Sequence, residues 1–196
     1  MITINLCGGI GNQLFQIFTV IAYSLEHKVP FTFPKHKFDQ DKRQTYWDNE
    51  DIFASLRVFL TNNIAGGFLR YRETFFQFKR LPPLERERKL CLHGYFQSYK
   101  YFCNYFDDIC RLISLDKRLE RVEKIMMDNF KQKFGANMKK DNFTFISMHF
   151  RLGDYKQLQH HHNLLSDVYY YKAIMAVITK LKERNAIKNK KIRILY

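Results

Sequence analysis

Hydrophobic and polar positions change period along the chain, and the changes predict where strands and helices lie. Residues 2–6 form a short β-rich run, and a glycine-rich turn follows at residues 7–13. Residues 14–26 then carry apolar side chains at helical spacing, and prolines bound a short strand at residues 30–34. Strands that alternate with helices in this way predict an α/β fold with a parallel sheet covered on both faces.

The remainder of the chain carries further predicted elements on both sides of a polar, glycine-containing break at residues 135–140. Strands are predicted at residues 89–94, 143–149 and 191–196, and helices at residues 99–113, 115–134 and 167–185. The break predicts a boundary between a first domain of residues 1–140 and a second domain of residues 141–196.

The chain is strongly basic, with 33 Lys and Arg against 19 Asp and Glu and a formal charge of +14 at pH 7. Such a charge favours anionic partners such as nucleic acid, a phosphorylated ligand or a membrane surface, and a solvated lysine-rich surface explains it equally well. The sequence has neither an apolar run of about 18 residues nor the regions of a signal peptide. These features predict a cytoplasmic protein and leave peripheral association with a membrane open.

The metal-ligating residue types show no spacing that is typical of a metal site. The four cysteines lack the CxxC pattern, which indicates reduced thiols rather than a zinc site or a disulfide framework. Three histidines are adjacent at residues 160–162, but neighbouring side chains point in different directions and rarely converge on one ion. We therefore expect no metal and no other cofactor.

Two segments carry residue types that suit an anionic ligand. The turn at residues 8–13 offers backbone N–H groups at a helix N-terminus, although its glycines also suit tight strand-to-helix packing. Arg151 follows a predicted strand and can make a bidentate contact to phosphate, with Asp154 holding it in place and Gly153 allowing close approach. The alternative for Arg151 and Asp154 is a plain salt bridge, and the alternative for His149 is a core histidine within the apolar strand.

Three segments together resemble the α-1,2-fucosyltransferase family, of the galactoside 2-α-L-fucosyltransferase type. They are GGIGNQLFQ at residues 8–16, GYFQSYKYF at residues 94–102 and HFRLGDY at residues 149–155. HNLLS at residues 162–166 and YYYKAI at residues 169–174 follow the same family's pattern further on. The resemblance covers nearly the whole chain.

The resemblance implies a GT-B-type glycosyltransferase, in which two Rossmann-like domains face each other across a cleft. Such an enzyme transfers L-fucose from GDP-β-L-fucose to the 2-hydroxyl of a glycan acceptor, typically a terminal galactose, with inversion and without a metal. Family members continue beyond the last predicted strand, so the expectation is a truncated second domain, of which residues 141–196 form the opening of the GDP-fucose-binding part.

The resemblance also implies roles for individual residues. Arg151 contacts the β-phosphate of GDP and neutralises charge on the leaving group, and Asp154 orders Arg151. Asn12 and its glycine turn approach the donor or the acceptor, and His149 and Asp154 both remain candidates for the general base. The implied substrate-binding residues are Gly9, Gly11, Asn12, Gln13, His149, Arg151, Gly153, Tyr155 and His162.

Two other classes of function remain as alternatives. The charge and the aromatic residues between positions 95 and 106 suit a basic nucleic-acid-binding module, but no RNP, zinc-finger or helix-turn-helix pattern supports it, and no nucleic acid is expected. Those aromatics favour core packing, with stacking on bases or sugars as the alternative. The second alternative is a non-catalytic GDP-sugar-binding protein.

The apolar side chains of the predicted helix at residues 167–185 favour self-association.

Overall fold

The computed structural model gives the chain seven strands and four α-helices in its described part. It describes residues 1–35, 45–48, 53–62, 66–84, 88–135, 142–150, 153, 156, 160, 163–188 and 190–195. The strands are β1 (Ile2–Asn5), β2 (Phe33–Pro34), β3 (Leu60–Thr61), β4 (Phe68–Arg72), β5 (Lys89–His93), β6 (Phe143–Ser147) and β7 (Lys191–Leu195). The helices are α1 (Ile10–His27), α2 (Phe106–Leu112), α3 (Leu115–Phe134) and α4 (Asp167–Glu183).

The chain separates into two compact units, Met1–Ile125 and Met126–Tyr196. The division falls within the residues of α3. The boundary predicted between residues 140 and 141 lies outside the described residues.

The first unit is organised around parallel strands in the order β1–β5–β4. Asn5 at the end of β1 lies opposite His93 at the end of β5, and Arg72 at the end of β4 lies opposite the same histidine. The short parallel pair of β2 and β3 joins this sheet through a bridge between Ile2 and Phe31. Because the strands are parallel, their carboxyl ends meet at one edge of the sheet, where ligands bind in open α/β sheets.

Helix α1 packs on β1 and forms the centre of the hydrophobic core. Its inner face carries Ile17, Val20 and Ile21 at helical spacing, and each of them is at most 1% exposed. They pack in one cluster with Ile2 and Ile4 of β1, which are wholly buried. Full burial of one such side chain contributes about 1.5–3 kcal/mol, so this contact anchors the turn that joins β1 to α1.

Helix α1 begins at Ile10, earlier than the predicted start at residue 14. The extended backbone of Gly9 ends the turn, and the N–H of Gln13 already donates to the carbonyl oxygen of Gly9 at 3.0 Å. Gly11 and Asn12 therefore lie in the first helical turn. The helix ends at His27; the next residue, Lys28, has a left-handed φ of 53°, and its N–H donates to the carbonyl of Ser24.

The helix predicted at residues 99–113 is wrong over its first half. Two 3₁₀ turns, Tyr99–Tyr101 and Cys103–Tyr105, precede the short helix α2. Between the two turns Phe102 leaves the helical region at φ −138°. Its ring packs against Phe15 and Phe18 of α1, with ring centroids 5.7 and 5.4 Å apart. The packing of this half-buried ring against α1 outweighs the helical preference of the segment.

Strand β4 is an element that the hydrophobic pattern does not predict. Among the described residues it pairs with β5 alone, at the edge of the sheet. Leu69, Arg70 and Arg72 are exposed, so the strand needs few apolar residues and shows little alternation.

The second unit contains the parallel pair β6 and β7 and helix α4. Phe143 lies opposite Lys191 in this pair, and β6 ends at Ser147 rather than at the predicted residue 149. The ring of Phe130 meets that of Phe145 edge-on at 5.0 Å. The hydroxyl of Ser166 caps α4 by accepting from the N–H of Tyr169, as serine at this position commonly does.

Apolar side chains on α3 and α4 face solvent. On α3, Leu119, Val122, Ile125 and Met126 are between 49% and 62% exposed, and Val177 of α4 is 42% exposed. The self-association expected from the sequence stays a prediction.

The described part of the chain is a mixed α/β protein with small parallel sheets. None of the helices within that part is both long enough and apolar enough to cross a membrane.

Candidate functional site

A cavity of about 550 Å³ lies at the carboxyl edge of the sheet in the first unit. Cys7 follows β1, Glu73 follows β4, and His93 ends β5, so three neighbouring strands bring these side chains to one place. The residues that line the cavity are Cys7, Arg72, Glu73, Thr74, Phe75, Phe76, His93, Gly94 and Tyr95. A few polar groups converging in an otherwise apolar cleft are typical of a ligand site.

The glycine-rich turn beside this cavity depends on Gly8. Its φ of +74° is left-handed, and a Cβ at this position would lie 2.4 Å from Nδ2 of Asn12. Gly9 and Gly11 differ from it, because a Cβ on either of them would meet no atom within 4 Å. The turn therefore needs glycine at position 8 for its shape, while positions 9 and 11 leave open space above the backbone.

Two buried glutamines of α1 hold the turn in place. Nε2 of Gln13 donates to the carbonyl oxygen of Gly8 at 3.0 Å, and Gln13 is only 1% exposed. Gln16 is wholly buried; its Oε1 accepts from the N–H of Cys7 at 3.0 Å and its Nε2 donates to the carbonyl of Cys7 at 3.2 Å. Gln13, which the resemblance assigns to substrate binding, thus has its amide engaged with the turn itself. The amide of Gln16 is also engaged with the turn.

Asn12 connects the glycine turn to the segment that follows β5. Nε2 of Gln97 donates to Oδ1 of Asn12 at 2.6 Å, across a sequence separation of 85 residues. Gln97 is exposed and Asn12 is half-buried, so the pair lies at the surface of the unit. Two of the three segments that carry the family resemblance are therefore in direct contact.

The segment after β5 makes a second unusual turn, which encloses the carboxylate of Glu73. Oε2 of Glu73 accepts from the N–H groups of Tyr95 at 2.7 Å and Phe96 at 2.9 Å. Gly94 has a φ of +153°, and a Cβ there would lie 2.4 Å from Cβ of Glu73. Phe96 is wholly buried and adopts a left-handed φ of 51°, which is rare for a bulky residue and marks a backbone held by its surroundings.

The other carboxylate oxygen of Glu73 is buried, and among the described residues no hydrogen-bond partner reaches it. Beside it, Nδ1 of His93 lies 3.4 Å from the side-chain amide of Asn5. This contact engages Nδ1, and His93 also lines the cavity. The rings of Phe76 and Tyr95 stack at the cavity with centroids 6.1 Å apart and an angle of 22° between their planes.

Glu73 and His93 are absent from the residues proposed on the sequence. The signal that identifies them is their position directly after or at the end of a parallel strand, and for Glu73 that strand is the unpredicted β4.

The aromatic residues between positions 95 and 106 differ in their exposure: Phe96 is wholly buried, whereas Tyr99 is 63% exposed. Burial raises the pKa of Tyr101, whose hydroxyl accepts from the N–H of Lys79 at 3.2 Å.

The structure describes only part of the segment around Arg151. His149 is exposed and lies beyond the end of β6, so the expectation that it sits within an apolar strand is wrong. Gly153 is also exposed, with open space where a Cβ would be. Four of the residues proposed on the sequence lie outside the described residues, namely Arg151, Asp154, Tyr155 and His162.

A second cavity, of about 460 Å³, lies in the first unit beside the carboxyl ends of β2 and β3. Lys35, Asp48 and Arg57 contribute its charged groups. Nε of Arg57 donates to the carbonyl of Trp47 at 2.9 Å. This cavity holds none of the residues proposed on the sequence.

Over the part of the chain that the structure describes, no three His, Cys, Asp or Glu side chains are grouped closely enough to hold a metal ion. Cys7, Cys91, Cys103 and Cys110 all lie in the described part of the chain, and none of them forms a disulfide there. Comparison with models of protein families, with curated proteins and with solved structures finds no match to this chain.

Proposed function

We propose that this protein is an inverting glycosyltransferase of the GT-B type, with Rossmann-like domains. It transfers L-fucose from GDP-β-L-fucose to the 2-hydroxyl of a glycan acceptor that ends in galactose. The mixed α/β fold with parallel strands supports the proposal, since this class of enzyme is built on parallel sheets. The cavity at the carboxyl edge of the sheet in the first unit also supports it, since ligands bind at this edge in open α/β sheets.

The observation that carries the proposal is the hydrogen bond between Gln97 and Asn12. The two residues belong to the segments GGIGNQLFQ and GYFQSYKYF, on which the resemblance to α-1,2-fucosyltransferases rests. If each of the two short segments resembled the family only by chance, there would be no reason for the two segments to be in contact. Their contact beside a ligand-sized cavity supports a shared function.

The reaction replaces one bond to the anomeric carbon of fucose by another. The 2-hydroxyl oxygen of the acceptor attacks this carbon as its bond to the β-phosphate oxygen breaks, and the hydroxyl proton passes to a general base. Negative charge grows on the departing GDP, and the guanidinium of Arg151 offsets this charge through a bidentate contact. Asp154 orders Arg151, and His149 and Asp154 remain the candidates for the base.

Transfer is tested with GDP-β-L-fucose and a β-galactoside, with the product identified by mass spectrometry and its linkage by NMR. Arg151→Ala should lower kcat/KM by on the order of 100- to 1000-fold. Arg151→Lys should recover little of it, because an ammonium group cannot reproduce the planar fork. Arg80→Ala serves as the matched control, since Arg80 is an exposed arginine outside the proposed segments. Full turnover by a folded Arg151→Ala protein contradicts the assigned role.

The alternatives give different results in the same preparation. A basic nucleic-acid-binding module binds random oligonucleotides, with an affinity that falls steeply as salt rises. A non-catalytic GDP-sugar binder shows saturable binding of GDP-fucose without transfer. Transfer accompanied by GDP binding that survives moderate salt supports the glycosyltransferase.

We expect transfer to proceed without a metal ion, because Arg151 provides the positive charge that a divalent cation provides in many other glycosyltransferases. The measurement is the initial rate after exhaustive dialysis against EDTA, with and without added Mn²⁺ or Mg²⁺. Rates should agree within about twofold. Loss of activity that either cation restores contradicts this expectation.

A further inference from the structure

We propose that the cavity beside β1, β5 and β4 binds a neutral pyranoside ring, with Phe76 and Tyr95 as the stacking surface and Glu73 as the hydroxyl acceptor. That this sugar is the galactose of the acceptor rests on the function proposed above. Sugar binding itself is argued from the residues of the cavity alone.

The aromatic rings at the mouth of the cavity are exposed to an unusual degree. Phe75 is 76% exposed and Phe76 is 72% exposed, whereas Phe33 and Phe96 of the same unit are wholly buried. Phe76 is held nearly parallel to Tyr95 at 6.1 Å. Exposed apolar groups gathered at a cavity mark a binding surface, and ordered aromatic rings suit the C–H face of a pyranose.

Glu73 supplies the polar contact. Its Oε2 is held by the N–H groups of Tyr95 and Phe96, which fixes the carboxylate in one orientation. Its Oε1 is buried and lacks a hydrogen-bond partner among the described residues. A buried carboxylate oxygen of this kind favours a ligand that brings a donor. The hydroxyl groups of a sugar are such donors.

The charges of the cavity discriminate among classes of ligand. A phosphate brings acceptors and negative charge toward an oxygen that needs a donor, so it is disfavoured beside Glu73. A cation is disfavoured by Arg72, which also lines the cavity. A neutral ligand with hydroxyl groups satisfies both Arg72 and Glu73, and His93 lines the same cavity as a further hydrogen-bonding group. The volume of about 550 Å³ is that of an ordinary small-molecule site.

Direct binding to the purified full chain, without GDP-fucose, tests the inference. The probe is methyl β-D-galactopyranoside, with lactose as the larger ligand, and the readout is saturation-transfer NMR together with calorimetric titration. Phe76→Ala should weaken binding about tenfold, because it removes the stacking surface. Glu73→Gln should weaken it about tenfold or more, since a hydrogen bond to a charged group is lost.

Two matched controls accompany these variants. Val58→Ala removes an apolar side chain that is 80% exposed, does not line the cavity and lies outside the segments of the resemblance. Asp48→Asn makes a carboxylate-to-amide change in the second cavity. Both should keep the wild-type dissociation constant. Phe76→Ala carries the test if Glu73→Gln does not fold, since the ring of Phe76 lies largely in solvent.

The outcomes separate this inference from the proposed function. Galactoside binding that weakens in Phe76→Ala, without any transfer by the wild type, supports the sugar site and contradicts the transferase. Transfer with an acceptor KM that neither Phe76→Ala nor Glu73→Gln changes overturns the sugar site and leaves the transferase intact. Absence of galactoside binding by the wild-type chain at millimolar sugar also overturns the sugar site.

Discussion

Gly94→Ala should lower the free energy of unfolding by about 3 kcal/mol or more. The φ of +153° at this position is a conformation that side-chain-bearing residues rarely adopt. The added methyl group would lie 2.4 Å from Cβ of Glu73, an atom close to the backbone that cannot swing away. The carboxylate of Glu73 would then leave the N–H groups of Tyr95 and Phe96, so two partly buried hydrogen bonds are lost as well.

Denaturant unfolding followed by circular dichroism measures this change. Gly11→Ala is the control, because Gly11 lies in α1 and a Cβ there meets no atom within 4 Å. In the control, stability should stay the same or rise by up to about 1 kcal/mol, as alanine is the better helix former. A Gly94→Ala protein as stable as the wild type would show that the turn after β5 tolerates a side chain.

Gln16→Ala should lower the free energy of unfolding by about 3–5 kcal/mol. The amide of Gln16 satisfies both the N–H and the carbonyl of Cys7 in a wholly buried position. Each buried backbone group left without a partner costs about 1–3 kcal/mol, and the vacated volume adds a cavity term. Because Cys7 lines the cavity, the variant should also disturb the glycine turn and the site beside it.

The same unfolding measurement tests this second prediction, with Gln77→Ala as the matched control. Gln77 is exposed, so its replacement should change stability by at most about 0.5 kcal/mol. Equal stability of the Gln16→Ala and Gln77→Ala proteins is the result that contradicts a structural role for Gln16. Thiol alkylation of Cys7 followed by mass spectrometry gives a local readout, and its rate should rise in Gln16→Ala alone.

Elements with strong periodicity could be predicted from the sequence. Helix α3 begins and ends at the predicted residues 115 and 134, and α4 and β5 differ from their predictions only at one end. Local spacing suffices for such elements because their apolar stripe or run lies within a few turns of chain. The aromatic segment at residues 99–105 fails this rule, since the ring of Phe102 packs against α1, a contact that no local pattern encodes.

The candidate site likewise contains one part that could be predicted from the sequence and one part that could not. The glycine turn could be found from its sequence, because an uncommon backbone conformation restricts position 8 to glycine. Glu73 could not be found, because the preceding strand lies at an edge of the sheet and carries mostly exposed side chains. A carboxylate that follows such a strand resembles any other surface residue until the strand order is known.

By itself the sequence determined the α/β class, the turn between β1 and α1, and the three segments on which the resemblance to fucosyltransferases rests. These properties depend on residues that are close together in the chain, and backbone conformation and periodicity restrict such residues directly. Only the tertiary structure decided that Gln13 and Gln16 hold the turn, that Asn12 meets Gln97, and that the carboxylate of Glu73 is enclosed by the segment after β5. The physical reason is that these contacts join strands and turns that are distant in sequence, and the pairing of parallel strands sets which chain ends share one edge.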